Sequence, residues 1–286
     1  MTAYRPRWRS LLYVPVTSER FVAKAHERGA DAIILDLEDA VAPSEKERAR
    51  TLVPEVAKRV GQAGADVLVR VNRPWRLAVP DLEAVLGPDV RGLVLPKSDS
   101  AEHVRSVAQV AASVEEERGL PVGHTVFFPR VESPKGLQNA AEMCGASPRI
   151  VAVGLGSSDY TIATGMGAGG PGNAMASFLV VNAASAAGVV PLGLTGAIVD
   201  FSDLDAFRRV AEESRALGLR GAPCVHPSQV PILNEVFSPS AAELERAHRI
   251  VEEYERALAA GQGAITVDGD FVDIPFYEQA KRLLAQ

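Results

Sequence analysis

The stretch DAIILDLEDAV, residues 31–41, shows the pattern that decides the fold, an apolar run followed at once by acidic side chains. Nearly continuous runs of Val, Ile and Leu are typical of strands buried on both faces, as in parallel sheets. Similar runs recur along the chain, and a segment of helical length follows each. The runs predict eight strands: SLLYVPV (10–16), DAIILDLE (31–38), DVLVRVN (66–72), GLVLPK (92–97), HTVFFPRVE (124–132), RIVAVGLG (149–156), VVPLGLTG (189–196) and APCVHP (222–227).

The segments between these runs have the start and stop residues of helices. Residues 44–61, 100–119 and 202–218 each open with serine and end with glycine. Eight strand-then-helix units favour an α/β fold of the closed (β/α)₈ TIM-barrel type over an open sheet. An open, nucleotide-binding sheet would have a glycine-rich loop after the first strand, and VPVTSER (14–20) contains no glycine.

The chain continues beyond the last predicted strand. An amphipathic helix is predicted over residues 239–260, followed by the segment AGQGAITVDGDFVDIP (260–275) and a short helix over 276–284. A barrel does not need this extension to close. The sequence therefore predicts a barrel over residues 1–236 and a C-terminal extension over 237–286 that caps the barrel or lies at a subunit interface.

The overall composition is that of a globular enzyme of ordinary charge. The chain has 286 residues, a net charge of −6 and a pI near 5.5, which disfavours nucleic acid or an anionic membrane as a partner. Cys144 and Cys224 lie far apart without CxxC spacing, which indicates reduced, buried thiols. No apolar segment of signal-peptide type follows the N-terminus, so we expect a cytoplasmic protein.

Polar side chains gather at the ends of the predicted strands. In a TIM barrel the active site lies at the C-terminal ends of the strands. One charged residue there is more often a solvated loop start, but six such strand ends together favour a functional site. The candidates are Asp36, Glu38, Asp39, Arg70, Lys97, Arg130, Glu132, Asp159 and His226.

This set suits magnesium. Mg²⁺ prefers oxygen ligands and keeps several waters, so two carboxylates suffice, and Glu132 and Asp159 end adjacent predicted strands. Histidine pairs with zinc spacing are absent from the sequence. Arg70 offers a guanidinium fork for a substrate carboxylate. Lys97 either contacts an anion or pairs with Asp99, and the pairing is slightly favoured.

Several motifs carry a resemblance to a known family. In order, and over nearly the whole chain, they resemble the group of citrate lyase beta subunits and malyl-CoA lyases in the HpcH/HpaI aldolase superfamily. The resemblance includes the C-terminal tail with FVDIP. The motifs are RSLLYVP (9–15), KAHERGADAIILDLEDAV (24–41), VRVN (69–72), LPK (95–97), VESPKG (131–136), GSSDY (156–160) and VHPSQV (225–230).

The resemblance implies a Mg²⁺-dependent carbon–carbon lyase acting on a citryl, malyl or citramalyl thioester of CoA or an acyl-carrier protein. Arg70 would bind the 2-oxo acid, and Glu132 and Asp159 would bind Mg²⁺ directly. The acidic group of the second strand, Asp36, Glu38 and Asp39, would hold metal-bound waters and order Arg70.

The resemblance also implies contacts beyond this central set. Arg9 would lie near the substrate anion or the thioester arm. Apart from the resemblance, Arg130 adds a cation at the rim, where it would compensate for departures of this sequence from the family pattern. Asp273 would act as the acid/base residue that a neighbouring subunit supplies. A homo-oligomer, either a trimer or a hexamer, is expected.

Three other functions stay open. One is a malyl- or citramalyl-CoA thioesterase, another a carrier-dependent subunit of a larger lyase complex, and the third an aldolase acting on free 2-oxo acids. Val16 stands where the family usually has glycine, and the helical segment NAMASFLVVNAASAAG (173–188) lacks the arginine that many members carry. Both features are compatible with a carrier other than CoA or with a free acid.

Overall fold

The computed structural model describes residues 4–167, 171–196 and 202–285. The chain divides into two compact units, Met1–Phe237 and Ser238–Gln286. The first unit contains the predicted strands and their helices. The second contains the C-terminal extension.

Eight parallel strands of the first unit form one sheet in the order β7-β6-β5-β4-β3-β2-β1-β8. Two backbone hydrogen bonds join the chain around the two outermost strands, from Gly193 N to Gly221 O at 2.8 Å and from Arg220 N to Pro191 O at 2.9 Å. The predicted TIM barrel is confirmed. The strands are β1 Ser10–Pro15, β2 Ala32–Asp36, β3 Asp66–Arg70, β4 Gly92–Leu95, β5 Val126–Val131, β6 Ala152–Leu155, β7 Val190–Leu192 and β8 Ala222–Cys224.

Helices follow the strands, and serine or aspartate caps several of them. Ser100 accepts a hydrogen bond from His103 N, and Asp203 accepts one from Ala206 N. The helices of this unit are α1 Glu19–Val22, α2 Lys46–Val60, α3 Trp75–Val85, α4 Ala101–Glu117, α5 Pro134–Gln138, α6 Ala140–Cys144, α7 Ser157–Thr164, α8 Pro171–Ala187, α9 Leu204–Leu217 and α10 Gln229–Val236.

Strand alternation divides the apolar residues into two cores. One core fills the barrel interior with side chains such as Leu11, Ile34, Leu68 and Phe128. The other lies between the outer faces of the strands and the helices. Gly154 allows close packing inside the barrel, because a Cβ there would lie 2.2 Å from Leu192 O. The described helices include none that is both long and apolar enough to cross a bilayer.

The second unit is a helix, a hairpin and a further helix. Its elements are α11 Ala241–Ala259, β9 Ile265–Val267, β10 Asp270–Val272 and α12 Ile274–Leu284. Asp268 and Gly269 turn the hairpin with φ of +50° and +87°, the conformation for which Asp-Gly is favoured. The sequence analysis assigned no strand to residues 260–275 and so missed this antiparallel pair.

Candidate active site

The C-terminal mouth of the barrel contains polar side chains directly above the interior core. Residues two positions apart in a strand lie on the same face, so each interior apolar residue begins a column that continues two positions later towards the mouth. At the mouth the residue in each column is polar. The columns of Leu11, Ile34, Leu68 and Phe128 thus continue in polar residues. These are Tyr13, Asp36, Arg70 and Arg130.

Asp36 and Arg70 form the base of the site. Arg70 Nε and Nη2 donate to the two Asp36 carboxylate oxygens at 2.7 and 2.6 Å. The backbone N–H groups of Glu38 and Ala40 donate to the same carboxylate. Burial raises the pKa of Asp36, but Arg70 and these N–H groups outweigh it, so its pKa is lowered and Asp36 stays charged.

Glu38 and Asp39 extend this pair towards Lys97. Arg70 Nη1 lies 3.0 Å from a Glu38 oxygen and 4.0 Å from Asp39. The Lys97 ammonium contacts the other Glu38 oxygen and lies 3.4 Å from Asp39. Lys97 has a left-handed backbone with φ of +47°, and its N–H donates to Glu132 at 2.9 Å. Lys97 therefore links the acidic group of β2 to the carboxylate that follows β5.

Buried groups outside the barrel mouth hold the ends of β2 and β3 in place. The Lys46 ammonium donates to the carbonyl oxygens of Leu37 and Glu38. Asn72 Nδ2 donates to Leu37 O at 3.0 Å and to the fully buried Asp81 at 2.7 Å. These contacts fix the backbone from which Glu38 projects.

Glu132 is a buried carboxylate beside a second acidic group. Burial raises its pKa to about 7, with Arg130 opposing this shift and the charge of Asp159, in the first turn of α7, adding to it. A Cβ at Gly156 would lie 2.4 Å from Glu132 Cγ, so glycine is needed there for Glu132 to hold its position. The two carboxylates repel each other, which a cation would relieve.

Arg130 is only partly satisfied. Its side chain is 11% exposed, Nη2 donates to Leu155 O at 3.1 Å, and Nε lies 3.8 Å from the nearest Glu132 oxygen. Its Nε and Nη1 are buried and form no hydrogen bond with the described residues. The guanidinium lies over the Phe128 ring, 5.4 Å from its centroid.

The structure corrects the expected place of Arg9. Arg9 precedes β1, at the N-terminal end of the barrel, and makes a two-point ion pair with Asp31 at 2.8 and 2.7 Å. The six residues of β1 separate it from the mouth by roughly 20 Å. Arg9 thus joins the starts of β1 and β2 and does not reach the substrate anion.

Asp273 lies in the second unit, immediately before α12. Its side chain makes no capping hydrogen bond, and its Oδ1 has no partner among the described residues. Among the described residues, the Oδ1 atom of Asp273 is therefore a buried acceptor without a donor. The role expected for it stays a prediction.

Sequence reasoning missed two contributors to the site, Lys46 and Tyr13, and favoured the wrong partner for a third, Lys97. Lys97 pairs with Glu38 and Asp39 rather than with Asp99, which accepts the Ser133 hydroxyl hydrogen bond at 2.6 Å. Lys46 supports the β2 backbone, and Tyr13 faces the two site arginines. Tyr13 could have been found, because it follows the interior residue Leu11 by two positions.

The residues fit a bound divalent cation. Oxygen ligands are available from Glu132 and Asp159. Among the residues that the structure describes, no hydrogen-bond donor is recorded closer to Glu132 Oε1 than the 3.8 Å Arg130 contact. Within residues 4–167, 171–196 and 202–285, no group of three or more His, Cys, Asp or Glu is arranged to hold a metal. Water and substrate would complete the coordination, which is the usual arrangement for Mg²⁺.

Comparison with known proteins decides the family. The model of the family HpcH/HpaI aldolase/citrate lyase matches residues 9–227. The chain belongs to this family. The match spans all eight strands of the barrel, so the recognition made from the motifs is confirmed.

The similar proteins are named as lyases or thioesterases. The citrate lyase subunit beta of Leuconostoc mesenteroides subsp. cremoris is 30% identical over 96% of this chain and 92% of its own length. A (3S)-malyl-CoA thioesterase of Cereibacter sphaeroides is 33% identical over 98% of this chain and 94% of its own length. An L-malyl-CoA/beta-methylmalyl-CoA lyase of the same organism is 31% identical over 97% of this chain and 94% of its own length. The Mycobacterium tuberculosis protein CitE, solved with magnesium, acetoacetate and coenzyme A, is 27% identical with a TM-score of 0.77, covering 100% of this chain and 98% of that one.

Proposed function

We propose that this chain is a Mg²⁺-dependent carbon–carbon lyase that cleaves a 3-hydroxyacyl thioester to an acyl thioester and a 2-oxo acid, or joins them. The observation that carries the proposal is Glu132, a buried carboxylate beside Asp159 in a barrel mouth that also contains Arg70. The names of the relatives and the magnesium and coenzyme A of the CitE complex support it.

Arg70 binds the carboxylate of the 2-oxo acid in this proposal. Asp36 holds Nε and Nη2 on one edge of the guanidinium, and Glu38 lies 3.0 Å from Nη1, so the remaining N–H groups at the Nη1 and Nη2 tip are left for a substrate. The pairing keeps the side chain in one orientation before substrate arrives. Binding therefore needs little further ordering of Arg70.

Glu132 and Asp159 hold the metal, and Glu38 and Asp39 order its waters. When bound, Mg²⁺ supplies a Lewis acid that polarises the 2-oxo carbonyl. Lys97 keeps Glu38 and Asp39 beside Glu132 through its ammonium and its backbone N–H. Arg70 neutralises the adjacent substrate carboxylate.

Asp273 serves the site of a neighbouring subunit in a homo-oligomer, a trimer or a hexamer. Exposed apolar side chains flank it, with Phe271 62%, Ile274 59% and Phe276 47% exposed. Apolar groups clustered in this way are typical of protein contacts. In the condensation direction the Asp273 carboxylate takes a proton from the carbon next to the thioester carbonyl.

Subunit complementation tests this assignment. Glu132→Ala and Asp273→Asn, each inactive alone, are co-expressed with different tags and purified through both. If Asp273 acts on a neighbour, about one third of the sites in a mixed trimeric ring are intact and activity returns. If it acts on its own chain, the mixed oligomer stays as inactive as either parent.

Product analysis tests the reaction. Malyl-CoA, citramalyl-CoA and citryl-CoA are incubated with enzyme and Mg²⁺ or EDTA, and the 2-oxo acid and free thiol are measured together. Release of a 2-oxo acid without free CoA, lost with EDTA and in Glu132→Ala, is expected. Free CoA with an intact hydroxy acid would instead identify a thioesterase, the second candidate, which the 33% identical thioesterase favours.

The acyl carrier and the location belong to the same proposal. Turnover of acyl-carrier-protein thioesters alone would identify a carrier-dependent subunit, and cleavage of free hydroxy acids would identify an aldolase of free 2-oxo acids. The free, buried thiols of Cys144 and Cys224 support a cytoplasmic enzyme.

A further inference from the structure

Arg130 is a buried cation with unused hydrogen-bond donors. It projects from β5 into the barrel interior above Phe128, and its one side-chain hydrogen bond with the described residues goes to the neutral carbonyl of Leu155. Its Nε and Nη1 atoms are shielded from solvent without an acceptor in the described residues. Three of its five N–H groups are on these two atoms.

The nearest carboxylate does not satisfy Arg130. Glu132 Oε1 lies 3.8 Å from Nε, beyond hydrogen-bond distance. In the proposed function Glu132 binds the metal, so its negative charge is shared between the metal and Arg130. A buried charge without close acceptors is costly, and a ligand that supplies an anionic oxygen would remove that cost.

Arg130 faces the same space as Arg70. Both guanidinium groups affect the ionisation of the partly buried Tyr13. Burial raises the pKa of its hydroxyl, while the charges of Arg130 and then Arg70 oppose that change. Arg70 also lies over the Tyr13 ring, 4.8 Å from its centroid. Both guanidinium groups therefore lie at the C-terminal mouth of the barrel, where Tyr13, Arg70 and Arg130 each continue an interior column.

We propose that Arg130 binds a second carboxylate of the substrate, so the 2-oxo acid handled here is a dicarboxylate rather than pyruvate or glyoxylate. This inference rests on the proposed function, in which Arg70 binds the carboxylate next to the carbonyl. Arg130 then favours 2-oxo acids that have a second carboxylate at the end of the molecule away from the 2-oxo group. The unused Nε and Nη1 donors are the groups available to that carboxylate.

Calorimetric titration of the full-length, Mg²⁺-loaded protein tests this inference. Oxaloacetate is compared with 2-oxobutanoate, which has a methyl group in place of the second carboxylate. Wild type is expected to bind oxaloacetate roughly ten- to a hundredfold more tightly, as a charge-assisted hydrogen-bond pair predicts. Arg130→Gln is expected to abolish that preference, and Arg130→Lys to restore part of it.

Each other outcome has a definite meaning. Equal binding of the two acids by wild type, or equal weakening of both in Arg130→Gln, overturns this inference and leaves the proposed function standing. If wild type binds neither acid with Mg²⁺, the proposed function fails and this inference fails with it. Should Arg130→Gln not fold, Arg130→Lys decides the question, because an ammonium cannot donate to a carboxylate at two points as a guanidinium does. A reduced preference for oxaloacetate in Arg130→Lys supports the inference, and an unchanged preference overturns it.

Discussion

Replacing Gly156 by alanine adds a single methyl group and tests whether the position of Glu132 matters for the site. The φ of −86° at Gly156 suits alanine, so Gly156→Ala does not strain the backbone. The added Cβ would lie 2.4 Å from Glu132 Cγ and 2.7 Å from Oε1. An ordinary carbon–carbon contact is about 3.5 Å, so the Glu132 side chain must move by roughly 1 Å.

A movement of that size has a predictable effect on function and on stability. A 1 Å misplacement of a catalytic group costs about 100-fold in rate. We expect kcat/KM to fall by about that factor and Mg²⁺ to bind more weakly. Overpacking should lower the free energy of unfolding by about 1–3 kcal/mol, so the variant stays folded.

The assays are Mg²⁺ titration calorimetry, thioester cleavage and urea unfolding. Gly145→Ala is the matched control, because its φ is −91° and its new Cβ would contact only Glu142 O at 3.8 Å. The control should resemble wild type in all three measurements. If Gly156→Ala binds Mg²⁺ and turns over substrate normally, Glu132 is not the metal ligand and the reasoning is refuted.

Two further predictions concern ion pairs at opposite ends of the barrel. Lys97→Met removes the cation between Glu38 and Asp39, so kcat/KM should fall at least several-fold while urea unfolding changes little; equal kinetics would contradict the positioning role. Burial raises the pKa of Glu115, but the hydrogen bonds it accepts, first from Arg149, lower it overall. Its stabilisation is therefore present at neutral pH and is lost progressively as the pH falls from the ordinary value of 4.5 through the lowered pKa. Glu115→Gln should therefore destabilise the protein by about 3 kcal/mol at pH 7 and progressively less in acid, and a pH-independent difference would contradict this.

The fold was predictable because apolar runs alone mark the strands of a parallel barrel. Each observed strand lies within a predicted run, as β2, Ala32–Asp36, lies within residues 31–38. Several predicted runs extend beyond the observed strands, because the loops continue the apolar pattern without forming the hydrogen bonds of the sheet. The hairpin at Asp268–Gly269 was missed, although Asp-Gly between β-rich residues is a local signal that could have predicted it.

The site was predictable where alternation applies and not where the backbone leaves the strand. Alternation placed Asp36 with Glu38 and Arg130 with Glu132 on common faces. Lys97 follows the end of β4 in a left-handed conformation, which points its N–H at Glu132 and its ammonium at Glu38. No sequence pattern around LPK predicts that conformation, because the surrounding tertiary contacts maintain it.

Position along the strand, rather than residue type, separates structural arginines from those of the site. Arg149 precedes β6 at the N-terminal end of the barrel, and Glu115 together with Thr125 O satisfies its Nη1 and Nη2 atoms. Arg9 is likewise held by Asp31 at that end. Arg130, at the opposite end of the neighbouring strand β5, has buried donors without acceptors. The two arginines of the N-terminal rim are held in ion pairs with protein carboxylates, so Arg9 belongs to the structural group. Arg130 lies at the opposite rim with donors that a ligand would complete, so it is expected to determine specificity.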